Sequence, residues 1–386
     1  MPLQKPGVSM HRAFILDAAP FLLYASLSFE KIRKGYNMTA YLVLENGITF
    51  EGEFFGKPGE ITGEIVFTTG MTGYLETVTD PSFYGQIILQ TFPLIGNYGV
   101  ISADLQKETV SAKAYIVKYL CQEPSNFRSE EALDTFFMSK GITGLKGIDT
   151  RALTKIIRES GTVKGKITMN PPSAADIEEA RRYEVTGAIA AVSCKERKTH
   201  GDGKYRIALL DLGVKQSIVN ALVTRDCKVY TFPYNTTANE ILDANPHGIL
   251  LSSGPGNPAD PANGPIIVTL RELQSSGIPM FGIDMGHLLL AIANGYKTEK
   301  MKLGHRGANQ PVKDLSTGRV YITAQNHGYT VLADNASFIN VNDGTCEGLD
   351  YGSGFTVQFC PGEGPKDTEF LYDKFVEMAV NCCASR

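Results

Sequence analysis

Three short segments hold the residues whose types and spacing could do chemistry. The first is Phe281-Gly282-Ile283-Asp284-Met285-Gly286-His287, an apolar strand end running into a glycine-flanked turn and a helix start. This is the pattern of a nucleophile elbow: small residues on both sides let a tight turn push the central side chain outward. The occupant is unusual, because Asp284 stands where such a turn normally presents Cys or Ser. The second segment is Ser252-Ser253-Gly254-Pro255-Gly256-Asn257-Pro258, whose glycines can offer backbone amides to an oxyanion or carboxylate; taken alone, it is an ordinary Gly-Pro turn. The third is Val357-Gln358-Phe359-Cys360-Pro361-Gly362, a strand end followed by a loop.

These segments need strands to carry them. After Lys195–Lys204, a polar stretch expected to be a linker, the chain alternates regularly. Strands are expected at 207–212, 228–232, 248–251 and 278–283. Helices are expected at 215–224, 237–244 and 265–275, the second opened by a Thr237/Glu240 capping box. Continuous apolar strands separated by helices imply a parallel sheet covered on both faces, with ligands beyond the carboxyl strand ends. The earlier part is strand-rich. A hairpin turns at Asn46-Gly47, and strands are expected at 61–69 and 86–92. Helical spacing appears at 112–119, 130–140 and 150–160. The fold class is thus α/β: a mixed, strand-rich N-terminal domain at 38–194, then a doubly wound, mostly parallel domain at 205–386. Residues 1–37 match neither, and the strand pattern opens at Met38. That fits a start at Met38 with the preceding segment added by a mis-assigned start.

Composition narrows the function. The 386 residues are 43% apolar and 20% charged, with a formal net charge of −4. No basic face for nucleic acid and no membrane-length apolar run is apparent. The seven Cys are scattered without a C-x-x-C pair, so neither a disulfide framework nor a zinc site is expected. This usage suits a reducing, cytoplasmic setting. There is no phosphate-binding loop of the Walker type.

The glycine loop, elbow and late strand end together resemble class I glutamine amidotransferase domains. Longer segments resemble the small subunit of carbamoyl-phosphate synthase: 304–312 (Gly-His-Arg-Gly-Ala-Asn-Gln-Pro-Val), 325–329 (Gln-Asn-His-Gly-Tyr), 69–74, 79–82, 95–99 and 147–153. The resemblance runs from about Met38 to about Phe375. It implies a chain that hydrolyses glutamine and passes ammonia to a large, ATP-using subunit, which also carries the ATP and Mg sites. No cofactor or metal is expected here. In that family an elbow Cys attacks the amide, a His moves protons and a Glu orients the His. All three positions are changed, to Asp284, Cys360 and Gly362. Positions implied to hold glutamine are Ser82, Gly254, Gly256, Met285, Leu288, Asn326, Gly328 and Tyr329. Leu288 replaces the usual Gln and Tyr329 the more usual Phe. An apolar branch in place of an amide costs roughly 1–3 kcal/mol per polar group left unpaired, so glutamine is expected to bind weakly or not at all.

Other readings of these residues carry less weight. Asp284 as a covalent nucleophile lacks a base to release the ester, and Cys360 as a displaced nucleophile has no neighbouring His. His287 and His327 read as packed, hydrogen-bonded rings, and a metal held by Asp284, His287 and Cys360 is a weak case. The sequence therefore points to a non-hydrolysing small subunit of an ammonia-fed carbamoyl-phosphate synthase, serving pyrimidine or arginine synthesis. The alternative is a stand-alone binding or regulatory protein reusing the fold.

Overall fold

Alternating and continuous apolar runs in the first half close on themselves. In the computed structural model, which describes residues 38–384, seven strands form a closed barrel. Around the barrel they are Thr39–Leu44, Thr49–Gly56, Thr143–Lys146, Ala114–Val117, Gln86–Gln90, Ile61–Thr68 and Val163–Thr168. The Asn46-Gly47 turn joins the first two, with Gly47 at φ 88° as such a turn requires. The interpretation of residues 1–37 lies outside the described residues.

One expectation fails here. Residues 112–119 are not a helix. Ala114–Val117 is a barrel strand, buried at every position and flanked in parallel by Gln86–Gln90 and Thr143–Lys146. Burial on both faces makes an apolar run that mimics helical spacing. The helix expected at 130–140 is shorter, Leu133–Lys140, and that at 150–160 is Thr150–Ser160, its first turn capped by Asp149.

The second half is a ten-stranded sheet. Its centre is five parallel strands: Cys227–Pro233, Tyr205–Asp211, Gly248–Leu251, Met280–Ile283 and Gly354–Val357. The helices Gln216–Val223, Gly264–Ser275, Met285–Ala293 and Phe370–Ala384 cover it. Ala238–Leu242 carries the Thr237/Glu240 capping box. Both faces of the sheet are thus packed, which explains the unbroken apolar strands. The segment 195–204 is not all loop: Lys198–His200 pairs antiparallel with Cys227–Pro233 and closes that edge.

Beyond Gly354–Val357 the sheet continues antiparallel. Lys297–Asp314 and Val320–Leu332 form a long ribbon, followed in sequence by Phe338–Asn340 and Cys346–Asp350. The ribbon reaches the barrel, where Lys300 Nζ lies 2.7 Å from Glu64 Oε1. Barrel and sheet belong to one compact unit, Thr39–Arg386.

Candidate functional site

Three parallel strand ends converge where the ribbon meets the barrel. Met280–Ile283 runs into Asp284, which adopts φ 52°, ψ −106° before the helix Met285–Ala293 begins. A non-glycine residue in this region is held there by its surroundings. Here a Cβ on Gly282 would stand 2.8 Å from the Gly286 carbonyl oxygen, and one on Gly286 2.5 Å from that of Leu251. The elbow therefore tolerates only glycine on either side, as the spacing predicts. Gly254 is similarly confined, 2.2 Å from the Leu212 carbonyl oxygen at the missing Cβ.

Asp284 is 4% exposed. Its Oδ2 accepts the Gly254 N–H at 3.3 Å and its Oδ1 accepts Gln358 Nε2 at 3.0 Å. Burial pushes its carboxyl up to about 7, against the opposing pull of the Lys215 charge and the Gly254 amide. Asp284 thus holds a backbone amide of the glycine loop against the turn of the elbow.

In front of it opens a cleft of about 420 Å³ between barrel and sheet. Ser82, Gly254, Gly256, Asp284, Met285, Leu288, Asn326, Gly328 and Tyr329 all line it, together with Glu64, Lys300 and Arg306. The structure thus gathers every residue that the sequence nominated for holding an amino acid. Gly328 has a steric reason: a Cβ there would sit 3.2 Å from Arg306 Nη2.

Cys360 and Gly362 face elsewhere. They line a second cleft, of about 570 Å³, with Asp80, Lys215 and Glu363. Arg306 and Asn326 face both clefts. Lys215, only 2% exposed, places Nζ 3.1 Å from Cys360 Sγ, 2.6 Å from Glu363 Oε2 and 3.5 Å from Asp80 Oδ2. Burial alone would lower its ammonium; Asp80, Glu363 and the facing Cys360 sulfur instead hold it well above the usual lysine range. Burial raises the Cys360 thiol well above its usual value, with Lys215 opposing. Neither group is poised as a base or thiolate near neutral pH.

Gly362 has φ 73°, and a Cβ there would meet Glu369 Cγ at 2.7 Å. His287 is fully buried, with Nδ1 2.7 Å from Thr356 Oγ1, and burial pushes its imidazole down to about 3. His327 is packed between the Tyr329 carbonyl and Gln325.

Sequence reasoning passed over Lys215, Glu363, Asp80 and Gln358. Only Lys215 left a signal, a cation just past the end of a buried strand.

A doubly wound sheet with a glycine-confined elbow above an amino-acid-sized cleft defines a class I glutamine amidotransferase domain, and that family's model matches residues 208–378. The model described as the carbamoyl-phosphate synthase small chain, CPSase domain, matches residues 42–167. The chain is 45% identical over 355 residues to the carbamoyl phosphate synthase small chain of Clostridium perfringens, covering 89% of this chain and 100% of that one. It is 46% identical over 356 residues to the pyrimidine-specific small chain of Bacillus subtilis, covering 88% and 96%. The chain belongs to the carbamoyl-phosphate synthase small-chain family. Among solved structures, a glutamine amidotransferase from Thermotoga maritima is similar at 18% identity and TM-score 0.34, over 47% of this chain and 92% of that one. No helix among the described residues is long and apolar enough to cross a membrane.

Proposed function

We propose that this chain is a small subunit of carbamoyl-phosphate synthase that has lost its own glutamine hydrolysis. It docks on the large, ATP-using subunit, which receives nitrogen from free ammonia. The observation that carries this reading is the state of Asp284. A buried carboxyl fills the elbow, hydrogen-bonded to Gly254 and Gln358. A carboxylate is a poor nucleophile toward an amide and repels a developing oxyanion. Removing a single triad member from such an enzyme costs several orders of magnitude. Here the base position holds a thiol bonded to Lys215, and the orienter position has no side chain. The product would enter pyrimidine or arginine synthesis in the cytoplasm, with ATP and Mg sites on the large subunit.

The intact cleft supports a second reading, a binding or regulatory role without the synthase. Co-purification with the cognate large subunit, then assay with glutamine and with ammonium, separates these. The proposal expects complex formation and ammonium-driven synthesis, with no glutamine-driven synthesis above that of the isolated large subunit. Glutamate release by this chain, abolished when Asp284 is altered, overturns it; failure to bind the large subunit favours the second reading.

A further inference from the structure

We propose that His305, His327 and Glu347 form a binding site for a zinc-like transition-metal ion, built into the antiparallel part of the sheet behind the cleft wall. The strands place the three together. His305 on Lys297–Asp314 stands directly opposite His327 on Val320–Leu332. The two rings are perpendicular, 5.0 Å apart. Glu347 comes from Cys346–Asp350, and its Oε1 lies 3.3 Å from His305 Nδ1. All three are buried, at 9%, 5% and 0% exposure, and their ligand atoms lie within 4.8 Å of one another. Ligands about 2.0–2.2 Å from a tetrahedral ion stand roughly 3.5 Å apart, so a modest contraction closes the site.

The hydrogen-bond arithmetic shows what is missing. His305 Nε2 meets Asp343 Oδ2 at 2.8 Å, so Nδ1 is the ring nitrogen turned inward, toward Glu347. His327 Nδ1 meets the Tyr329 carbonyl at 2.9 Å, which leaves the Nε2 lone pair inward. That lone pair faces Gln325 Oε1 at 2.9 Å, acceptor against acceptor. Thr323 Oγ1 donates to the Gln310 carbonyl at 3.0 Å and so accepts Gln325 Nε2 at 3.1 Å. Glu347 Oε1 receives Asn340 Nδ2 at 3.0 Å and faces His305 Nδ1 at 3.3 Å. Glu347 Oε2 has no partner. The cluster thus gathers two imidazoles and a carboxylate with one unpartnered oxygen in a buried space, a donor set that a cation would satisfy.

The donor set selects the ion. Two imidazoles and a carboxylate suit zinc, cobalt or nickel rather than calcium or magnesium, which take oxygen. Asp343 and the Tyr329 carbonyl are the outer partners that orient metal-binding histidines. Gln325 Oε1 or a water completes the coordination. His327 also lines the first cleft, which gives the ion a way in. An ion there ties the two ribbon strands together beside Asn326, Gly328 and Tyr329.

The test uses the full chain, stripped with a chelator and titrated with Zn²⁺ and Co²⁺. The site predicts one equivalent bound, a rise in melting temperature, and a visible Co²⁺ spectrum of four-coordinate nitrogen/oxygen type without a sulfur charge-transfer band. Glu347→Gln and His305→Gln should weaken binding about 100-fold or more, while Glu347→Gln melts like the wild-type chain in chelator. No binding by the wild-type chain, a sulfur-ligated spectrum, or equal affinity in Glu347→Gln would each overturn the assignment. The wild-type spectrum decides even if a variant fails to fold.

Discussion

The Lys215 ammonium lies 3.1 Å from the Cys360 thiol, joining the end of one parallel strand to the segment where a catalytic histidine would be expected. This contact locks the position into an ion cluster with Glu363 and Asp80. Lys215→Met removes the only cation facing these carboxylates in the cluster. Breaking one side of a buried pair costs about 3–5 kcal/mol. Urea denaturation should show that loss, and Glu363→Gln should recover part of it in the double variant. A change below about 1 kcal/mol in Lys215→Met would show that the cluster behaves as an exposed pair.

Asp284 makes stability depend on pH. Its carboxyl titrates near 7 in the fold, against an ordinary value of 3.8. A raised carboxyl means that the native state favours the protonated form. The stabilisation is complete below pH 4 and disappears as pH rises through 7. A shift of this size corresponds to at most about 4 kcal/mol. Asp284→Asn should therefore gain stability relative to the wild type as pH rises from about 4 to about 7, with no further relative change above that. Parallel pH profiles for the two proteins would contradict the assignment.

Gly286→Ala tests the elbow itself. The added methyl would enter the space of Leu251, 2.5 Å from its carbonyl oxygen. Overpacking of this kind costs about 1–3 kcal/mol. Thermal denaturation should show the loss, whereas Gly295→Ala, with nothing within 4 Å of its missing Cβ, should show only the strain of its φ of 86°.

Restoring the family residues is constrained by the fold. Asp284→Cys, Cys360→His and Leu288→Gln enter existing side-chain positions. Gly362→Glu must adopt φ 73° against Glu369. The left-handed backbone alone costs about 1–2 kcal/mol. The four-fold variant should release more glutamate from glutamine than Asp284→Cys alone, and should melt below the three-fold variant that keeps Gly362. Equal melting temperatures would show that the loop after Pro361 relaxes freely.

The parts of the fold that were legible are those where local pattern and burial agree. The strand at Gly248–Leu251 is a short, continuously buried apolar run, and the helix at Thr150–Ser160 carries its own cap and periodicity. The elbow was legible because its glycines answer a steric demand within a few residues. The barrel was not, because its closure depends on pairings such as Ile61–Thr68 with Gln86–Gln90, and Ala114–Val117 is buried on both faces. The ion cluster was hidden for a related reason: Lys215 and Cys360 are 145 residues apart, and neither is unusual in its own segment. The His305–His327 pairing likewise depends on a register, with irregularities on either side, that periodicity cannot supply.

The backbone at Asp284 keeps its positive-φ bend while the side chain it displays accepts hydrogen bonds from Gly254 and Gln358. That bend joins a buried strand to a buried helix, so straightening it would displace both. The contortion is part of the architecture: Asp284→Gly would ease it but would remove the acceptor for Gly254 and Gln358. The bend thus works as a hinge pin between strand and helix, whatever side chain it carries.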